Sequence, residues 1–297
     1  MNNDNDFDGI YDLIKKTQLV EFLSENVQFS PWPNISKSYW KSLGDMIRLR
    51  ETTIDPMIDS SKWISVRLDI RGFSRKSKLL FPEKKYNDKF GKAMTNTMYA
   101  LMEETNACYG FSQSDEITII INPHYNEKTE TFSEHNFGGR HDKICTLSAS
   151  FASVVLLQQL LHFGLWVPGV VTNKPIVQFD ARIGTWDSAK DAFKLILWRA
   201  YDCNINGVSD AIYKSKLDNR KQLLGLSTIE KVHILHNNGL LPLDLHQGSG
   251  TFLQKKKVHC LAINKLTGNE VQVERGKICH IQGNVLNNIR NSSIVIE

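Results

Sequence analysis

The 297-residue chain has little cysteine. Its five residues, Cys108, Cys145, Cys203, Cys260 and Cys279, are odd in number and never pair as CxxC. That excludes a disulfide framework and a zinc knuckle as organising devices, and it sets reduced thiols in the cytoplasm as the expectation. The nine histidines show no HxxxH or HxH spacing, so a histidine-based metal site has no support. Long apolar runs are also missing. The best, from Phe151 to Val171, is broken by Ser153, Gln158, Gln159, His162 and Pro168, so no membrane span is expected. The N-terminal stretch from Met1 to Gly9 is acidic and Asn-rich, without the basic and apolar regions of a signal peptide. Neither charge dominates: 36 Lys and Arg stand against 32 Asp and Glu, a net +4 that permits nucleic-acid binding without requiring it. With 41% hydrophobic residues, the chain has enough apolar side chain for a real core. No internal repeat is visible.

Residues 1–60 read as an N-terminal extension, mostly helical. Ile10, Leu13, Ile14 and then Leu19, Val20, Phe22, Leu23 suggest short amphipathic turns. Ser30 to Asn34 breaks the pattern, and Tyr39 to Arg50 resumes it. From Trp63 to Asp69 the pattern switches to period two, with Ile64, Val66 and Leu68 on one face and Ser65, Arg67 and Asp69 on the other, which predicts a strand. Asn87-Asp88 can cap a helix whose apolar stripe is Phe90, Met94, Thr97, Met98, Leu101 and Met102. Ala107–Phe111, a polar turn over Ser112–Glu116, and Ile117–Ile121 read as a hairpin. A polar loop from Asn122 to Gly139 leads to a long apolar helix over Arg140–Phe163, and Ile176–Ile183 is a further strand. Val258–Ile263 and Val271–Val273 predict a last hairpin.

The order strand, helix, strand, turn, strand, helix, strand is the split βαβ or ferredoxin-like arrangement used by polymerase palms. The fold class expected is therefore α+β: a palm domain over 61–190, with a C-terminal helical and β-hairpin region, 191–297, packing on it. In this topology the first and third strands are antiparallel neighbours. The end of one lies beside the start of the other, which brings Asp69 and Asp115 to one rim of the sheet. Two carboxylates there suit a pair of Mg²⁺ ions, hard cations that take carboxylate, water and phosphate oxygens. Held about 3.5–4 Å apart, such ions clamp the attacking and leaving oxygens of a phosphoryl displacement.

Several segments carry a resemblance. Val66 to Phe73 is similar to an RxDGRxF segment, and Ser112 to Glu116 to a QSDE segment. Arg140-His141-Asp142-Lys143 precedes Ser148 to Ser153, similar to a basic pair leading into an SxFAS helix. Phe179 to Arg182 matches FD(A/G)R. Trp198-Arg199 and Asp202 to Asn206 resemble WRxxDCHINN, and Leu241-Pro242 with Gly250-Thr251 resembles a closing strand. Together, in order across residues 64–253, they resemble the tRNA(His) guanylyltransferase superfamily, enzymes that add nucleotides to an RNA 5′ end.

The resemblance implies roles. Asp69 and Asp115 would be the metal carboxylates and catalytic residues, with the backbone carbonyl of Ile70 as a further ligand. The family usually has Gly at that position, and Ile lacks the positive-φ conformations open to Gly. Arg71, Gly72, Phe73, Lys85, Ser114, Glu116, Arg140, Lys143 and Ser148 would bind nucleotide. For Lys85 the rival is Lys84. For Glu116 two readings are open, support of the metal site or a solvated hairpin charge. Arg182, Arg199 and Asn206 would meet triphosphate or the tRNA 5′ end; an ion pair with Asp180 is the other reading for Arg182. Cofactors would be two Mg²⁺ ions, with ATP and GTP or other NTPs as substrates. Partners would be tRNA, at its 5′ end and acceptor stem, and further copies of the chain in a tetramer.

One segment departs from the family. Its HINNLYN reads here Asn204-Ile205-Asn206-Gly207-Val208-Ser209-Asp210, keeping only Asn206 of the polar set. This resembles the tRNA(His) guanylyltransferase-like branch, template-directed 3′-to-5′ polymerases that repair tRNA 5′ ends. Dedicated G addition to tRNA(His) is the alternative. Nucleotide cyclases, 5′-to-3′ polymerases and a non-catalytic tRNA-binding palm are the other rivals. Lys255-Lys256-Lys257 near the C-terminus either meets RNA phosphates or protects an edge strand.

Overall fold

The period-two segment forms β1, Trp63–Ile70, with Ile64, Val66, Leu68 and Ile70 buried and Arg67 and Asp69 half-buried. The computed structural model describes residues 56–297 apart from 82–85, 167–176, 216, 218–224, 242, 282, 284, 286–287, 289–293, 295 and 297. The helices expected before residue 56 lie outside the described residues, as do Lys84, Lys85 and Pro242. Met57–Glu297 forms one compact unit.

After β1 the chain turns through Gly72, whose φ of 68° suits a residue without Cβ, into α1, Phe73–Leu80, a helix the sequence reading did not anticipate. Next comes α2, Asp88–Thr105, capped as expected: the Asn87 side chain accepts from the N–H groups of Lys89 and Phe90. Its buried stripe includes Phe90, Met94, Thr97, Met98, Leu101 and Met102.

The hairpin follows as β2, Tyr109–Gln113, and β3, Glu116–Ile121, both buried throughout. Only Ser114 and Asp115 lie between them, so the turn is tighter than the five polar residues suggested, and β2 starts two residues later than predicted. The loop that follows holds a small exposed hairpin, β4, His124–Asn126, and β5, Thr131–Ser133, with Tyr125 against Phe132.

The long apolar helix is α3, His141–His162. Among the described residues it is the one helix long and apolar enough to cross a membrane. Here its stripe of Ile144, Ser148, Ala152, Leu156 and Leu160 is buried, and the helix packs on α2 and on β6, Phe179–Trp186.

The C-terminal region comprises α4, Ala189–Lys214, α5, Thr228–Asn237, a single turn α6, Leu245–Gly248, and two strands, β7, Thr251–Ile263, and β8, Glu270–Ile281. These strands are much longer than the sequence suggested.

The sheet order is β6-β1-β3-β2-β7-β8, and every pairing is antiparallel. Its first four strands have the ferredoxin-like order, with β1 and β3 as central neighbours, as expected. Alternation sorts the side chains. Ile64, Val66, Leu68, Ile117 and Ile119 face α2 and α3 in the larger core. Tyr109, Phe111, Ile120 and Phe252 meet Phe193, Ile196 and Ala200 of α4 on the other face. That second face is apolar under α4 and charged over β1 and β6, where Arg67, Asp69, Asp180 and Arg182 stand in register.

Candidate active site

Register builds the site. In the β1–β3 ladder Asp69 is opposite Glu116, and the Ile70 N–H donates to the Asp115 carbonyl at 3.2 Å. Asp69 and Asp115 thus meet at one rim because the backbone pairing leaves them no other place. The tight turn needs an unusual conformation, and Ser114 supplies it with φ 46°. Its hydroxyl donates to Asp115 Oδ1 at 3.0 Å.

Carboxylates crowd at this rim. Burial, then the charge of Asp69, pushes the Asp115 carboxyl up to about 6. Asp69 is raised first by burial and then by Asp180, with Arg182, Arg67 and Arg199 opposing. Such crowding of negative charge is what a divalent cation relieves, and the donors are hard oxygens suited to Mg²⁺. Among the described residues no group of three or more His, Cys, Asp or Glu gathers as a metal cluster. The fit is therefore to ions that also take water and substrate phosphate oxygens. Ile70 poses no backbone difficulty: it is an extended, buried strand residue, and the left-handed position falls two residues later, at Gly72.

Glu116 is not a solvated hairpin charge. It is buried, and Arg199 from α4 grips it through both Nε and Nη2, the second at 2.8 Å, while Arg67 Nη1 lies 3.6 Å away. Burial raises the Glu116 carboxyl, and the Arg199 and Arg67 guanidiniums pull against it. Arg199 also meets Asp202 at 3.2 Å and stacks on Trp198, which Arg67 approaches as well. The structure thus assigns Arg199 and Glu116 to each other, where the sequence reading had aimed them at triphosphate and nucleotide. Together they tie α4 to the hairpin that carries Asp115.

Beside Asp115 opens a cavity of about 620 Å³. Its walls include Phe73, Ser77 and Lys78 of α1, Tyr86 and Phe90 at the start of α2, Ser114, and Asn206 and Asp210 of α4. Phe73 stacks on Phe90 with centroids 4.9 Å apart, and Phe81 meets Phe90 edge-on. Tyr86 Oη donates to Asp244 Oδ1 at 2.8 Å, and the backbone N–H of His246 donates to the same oxygen. His246 is buried with Nδ1 3.1 Å from Thr251 Oγ1, and burial pushes its imidazole down to about 4, so the ring is neutral. Sequence reasoning missed α1, Tyr86, Asp244 and His246. Nothing in their spacing announces a wall that three distant segments assemble.

The altered helix segment has a packing explanation at one position. A Cβ at Gly207 would lie 2.2 Å from the Gln247 carbonyl, so the absence of a side chain lets α6 rest directly on α4. Ser209, where the family segment has Tyr, takes a hydrogen bond from Lys231 of α5 at 3.1 Å.

The remaining expected site residues are dispersed. Arg71 is exposed, and its N–H pairs with Gln178 across the β1–β6 rim. Arg182 is exposed on the charged face near Asp69. Arg140 and Lys143 begin α3, which packs on the opposite face of the sheet, and neither lines the cavity; Lys143 sits over the Phe137 ring. Ser148 is buried in the α3 stripe. Of the three C-terminal lysines, Lys255 bonds to Asn106 and Lys257 lies 3.4 Å from Glu274. They stand on β7 just past its pairing with β2, which ends at Gln254, where the strand continues in pairing with β8 alone.

A family model for the tRNAHis guanylyltransferases, Thg1, matches residues 46–186. The chain is 28% identical over 243 residues to an uncharacterized protein of Acanthamoeba polyphaga mimivirus, covering 75% of this chain and 80% of that one. It is 23% identical over 276 residues to tRNA(His) guanylyltransferase 2 of Arabidopsis thaliana, covering 85% of this chain but 49% of the plant protein, so it spans about half that relative's length. Among solved structures it is similar to a bacterial tRNA(His) guanylyltransferase (Thg1)-like protein in complex with ATP, with TM-score 0.61, 22% identity, and coverage of 72% and 89%. It is also similar to tRNA(His) guanylyltransferase from Saccharomyces cerevisiae, with TM-score 0.57, 22% identity, and coverage of 69% and 91%. At these identities the structural likenesses speak for the fold.

Proposed function

The chain belongs to the tRNA(His) guanylyltransferase superfamily, and from that premise we propose that it is a Mg²⁺-dependent enzyme that adds nucleotides in the 3′-to-5′ direction to tRNA 5′ ends. The observation that carries the reading is the meeting of Asp69 and Asp115 at one sheet rim beside a cavity large enough for a nucleotide.

Asp69 and Asp115 hold Mg²⁺, which when bound supplies the charge stabilisation that in-line phosphoryl transfer needs. Ser114 orients the Asp115 carboxylate, and the Arg199–Glu116 pair keeps the turn in register. Arg67 and Arg182 stand beside Asp69 and Asp180 on the open half of the sheet, and their guanidiniums are the groups there that can meet an RNA 5′ phosphate. Phe73, Phe81 and Phe90 offer an apolar wall to a base.

Two transfers use this rim. In the first, a 5′-phosphate oxygen forms a bond to the α-phosphorus of ATP and pyrophosphate leaves. In the second, the 3′-hydroxyl of an incoming NTP attacks the activated 5′ phosphate and AMP leaves. The change from HINNLYN at residues 204–210 favours template-directed repair over dedicated addition of G to tRNA(His).

The test is extension of labelled full-length and 5′-truncated tRNAs with each NTP. Truncated ends should gain the nucleotide that pairs with the opposing strand, and Asp69→Ala and Asp115→Ala should each lose on the order of 10³-fold or more in rate. G addition confined to tRNA(His), whatever the opposing base, would shift the assignment to the dedicated enzyme. Tight tRNA binding without 5′ extension by wild type under any NTP would falsify the enzymatic reading.

A further inference from the structure

We infer that His246 of α6 is a positioning residue for the metal rim: it braces the Ser114–Asp115 turn from behind, so that the Asp115 carboxylate meets Mg²⁺ in one orientation. The inference rests on the reading above, that Asp69 and Asp115 hold the ion, and adds a residue that touches neither ion nor substrate.

The turn needs support from every side. Ser114 is a non-glycine residue at φ 46°, a left-handed conformation that an L side chain holds only where its surroundings impose it. From β1 the Ile70 N–H donates to the Asp115 carbonyl at 3.2 Å. From α4, Arg199 grips Glu116 just past the turn. The remaining side belongs to α6, which leads straight into β7 and packs against β2. The first residue of β7, Thr251, pairs with Ser112 near the end of β2. His246 sits on α6 between this pairing and the turn, and both His246 and Ser114 line the cavity.

The imidazole is placed to act on Ser114. It is buried, with Nδ1 3.1 Å from Thr251 Oγ1. Nε2 is sealed from solvent and meets no partner at full hydrogen-bond geometry among the described residues. The Ser114 backbone nonetheless favours a proton on the ring, against the effect of burial. Only an acceptor does that, so the Ser114 carbonyl is the group the ring faces. A neutral imidazole has one donor and one acceptor nitrogen. One arrangement uses both: Nδ1 accepts from the Thr251 hydroxyl, and Nε2–H points to the Ser114 carbonyl.

A brace must itself be fixed. The His246 N–H and the Tyr86 hydroxyl both donate to Asp244 Oδ1, at 2.9 and 2.8 Å. Two helices make room for this block by carrying glycine. A Cβ at Gly91 of α2 would lie 2.6 Å from Tyr86 Oη and 3.1 Å from His246 Cγ. The missing side chain of Gly207 seats α6 on α4, as described above. His246 thus passes the rigidity of a wedged segment to the one strained residue beside Asp115. A histidine kept for packing alone could be replaced by any apolar side chain of its size. A brace needs the ring nitrogens, because the group it steadies is a backbone carbonyl.

Binding of Mn²⁺, a paramagnetic stand-in for Mg²⁺, tests the inference apart from catalysis when followed by electron paramagnetic resonance on the full chain without tRNA. Wild type should bind the ion. His246→Leu, close in volume but without ring nitrogens, should bind it about 10–100-fold more weakly, the usual cost of losing a group that orients a metal ligand. His246→Gln, which can still donate toward Ser114, should recover most of that affinity. In 5′ extension the Leu variant should need correspondingly more Mg²⁺ for half-maximal rate, with KM for the NTP at saturating Mg²⁺ unchanged. Should His246→Leu fail to fold, Thr251→Val carries the same test: it leaves Nδ1 without its partner and should also weaken Mn²⁺. Unchanged Mn²⁺ affinity in whichever of these two variants folds, or a His246→Gln protein as weak as His246→Leu, would overturn the brace and leave the metal site standing. A wild type that binds no Mn²⁺ would overturn the metal site, and the brace with it.

Discussion

The catalytic rim and the outer wall of the cavity are built on different principles, and the contrast explains why one keeps the superfamily's residues while the other departs from them. The rim is set by backbone hydrogen bonding: Asp69, Asp115, Glu116 and Asp180 sit where the β6-β1-β3-β2 ladders hold them. Moving any one means changing the register of the sheet, which would turn every core side chain to the wrong face. The wall is set by helix packing. Side chains of α1, α2, α4 and α6 meet there without sharing a ladder, and a substitution on one helix can be absorbed by its neighbour. Gly207 under the Gln247 carbonyl is such an accommodation. The proposed chemistry thus rests on the rigid element, and the proposed nucleotide contacts rest on the adaptable one.

The contrast breaks most visibly at the rim. Asp115→Asn should lower 5′ extension by on the order of 10³-fold or more, because a neutral amide cannot complete the metal site. Its thermal midpoint without Mg²⁺ should match or exceed wild type, since the substitution removes a carboxylate that burial and Asp69 already disfavour. A large fall in midpoint would mean that the turn, and not the charge, is what Asp115 supplies.

Next in size is the link between the two regions. Arg199→Met strands Glu116 as a buried charge and should cost on the order of 3–5 kcal/mol in denaturant unfolding. Adding Glu116→Leu should restore most of the stability without restoring extension. If the single variant is neutral, Arg67 alone satisfies Glu116 and the tie from α4 is dispensable.

The wall responds to pH through His246. Its folded-state imidazole is held down to about 4, below the ordinary 6.5. Above the ordinary value both states are neutral and stability is full. As pH falls from about 6.5 to 4 only the unfolded chain takes up the proton, so stability declines by at most about 1.4 kcal/mol per pH unit. Asp115, raised to about 6, contributes the opposite slope over much of that window, because the folded state binds its proton first. His246→Gln should therefore flatten or reverse the acid limb in a series of unfolding curves; an unchanged limb would place the relevant titration elsewhere.

The smallest effect concerns fit. Gly207→Asn would drive a side chain into the Gln247 carbonyl and displace α6, at about 1–3 kcal/mol. Weaker nucleotide binding should accompany it, while far-UV spectra stay native. Unaltered affinity would show that α6 does not shape the cavity.

Legibility in the sequence followed the same division. Strand β1, helix α2 with its Asn87 cap, and the placing of Asp69 and Asp115 at one rim could be read because period-two and helical patterns, together with one topology, leave few alternatives. Strand ends were misplaced by two residues at β2, where burial throughout blurs alternation, and by three at β6, where one residue alone is buried. Helix α1 went unseen because FSRKSKLL is short and holds only three apolar residues, one of which, Phe73, anchors it against Phe90 of α2. Glu116 and Arg199 were read as ligand contacts since an ion pair across 83 residues leaves no trace in local pattern.

By itself the sequence determined the palm and the meeting of Asp69 and Asp115 at its rim, because alternation selects register and register selects neighbours. The cavity wall, the neutral His246 and the Arg199–Glu116 tie were decided only by tertiary structure. Each depends on which helix faces rest on which strands, a choice made by side-chain packing among segments far apart in the chain.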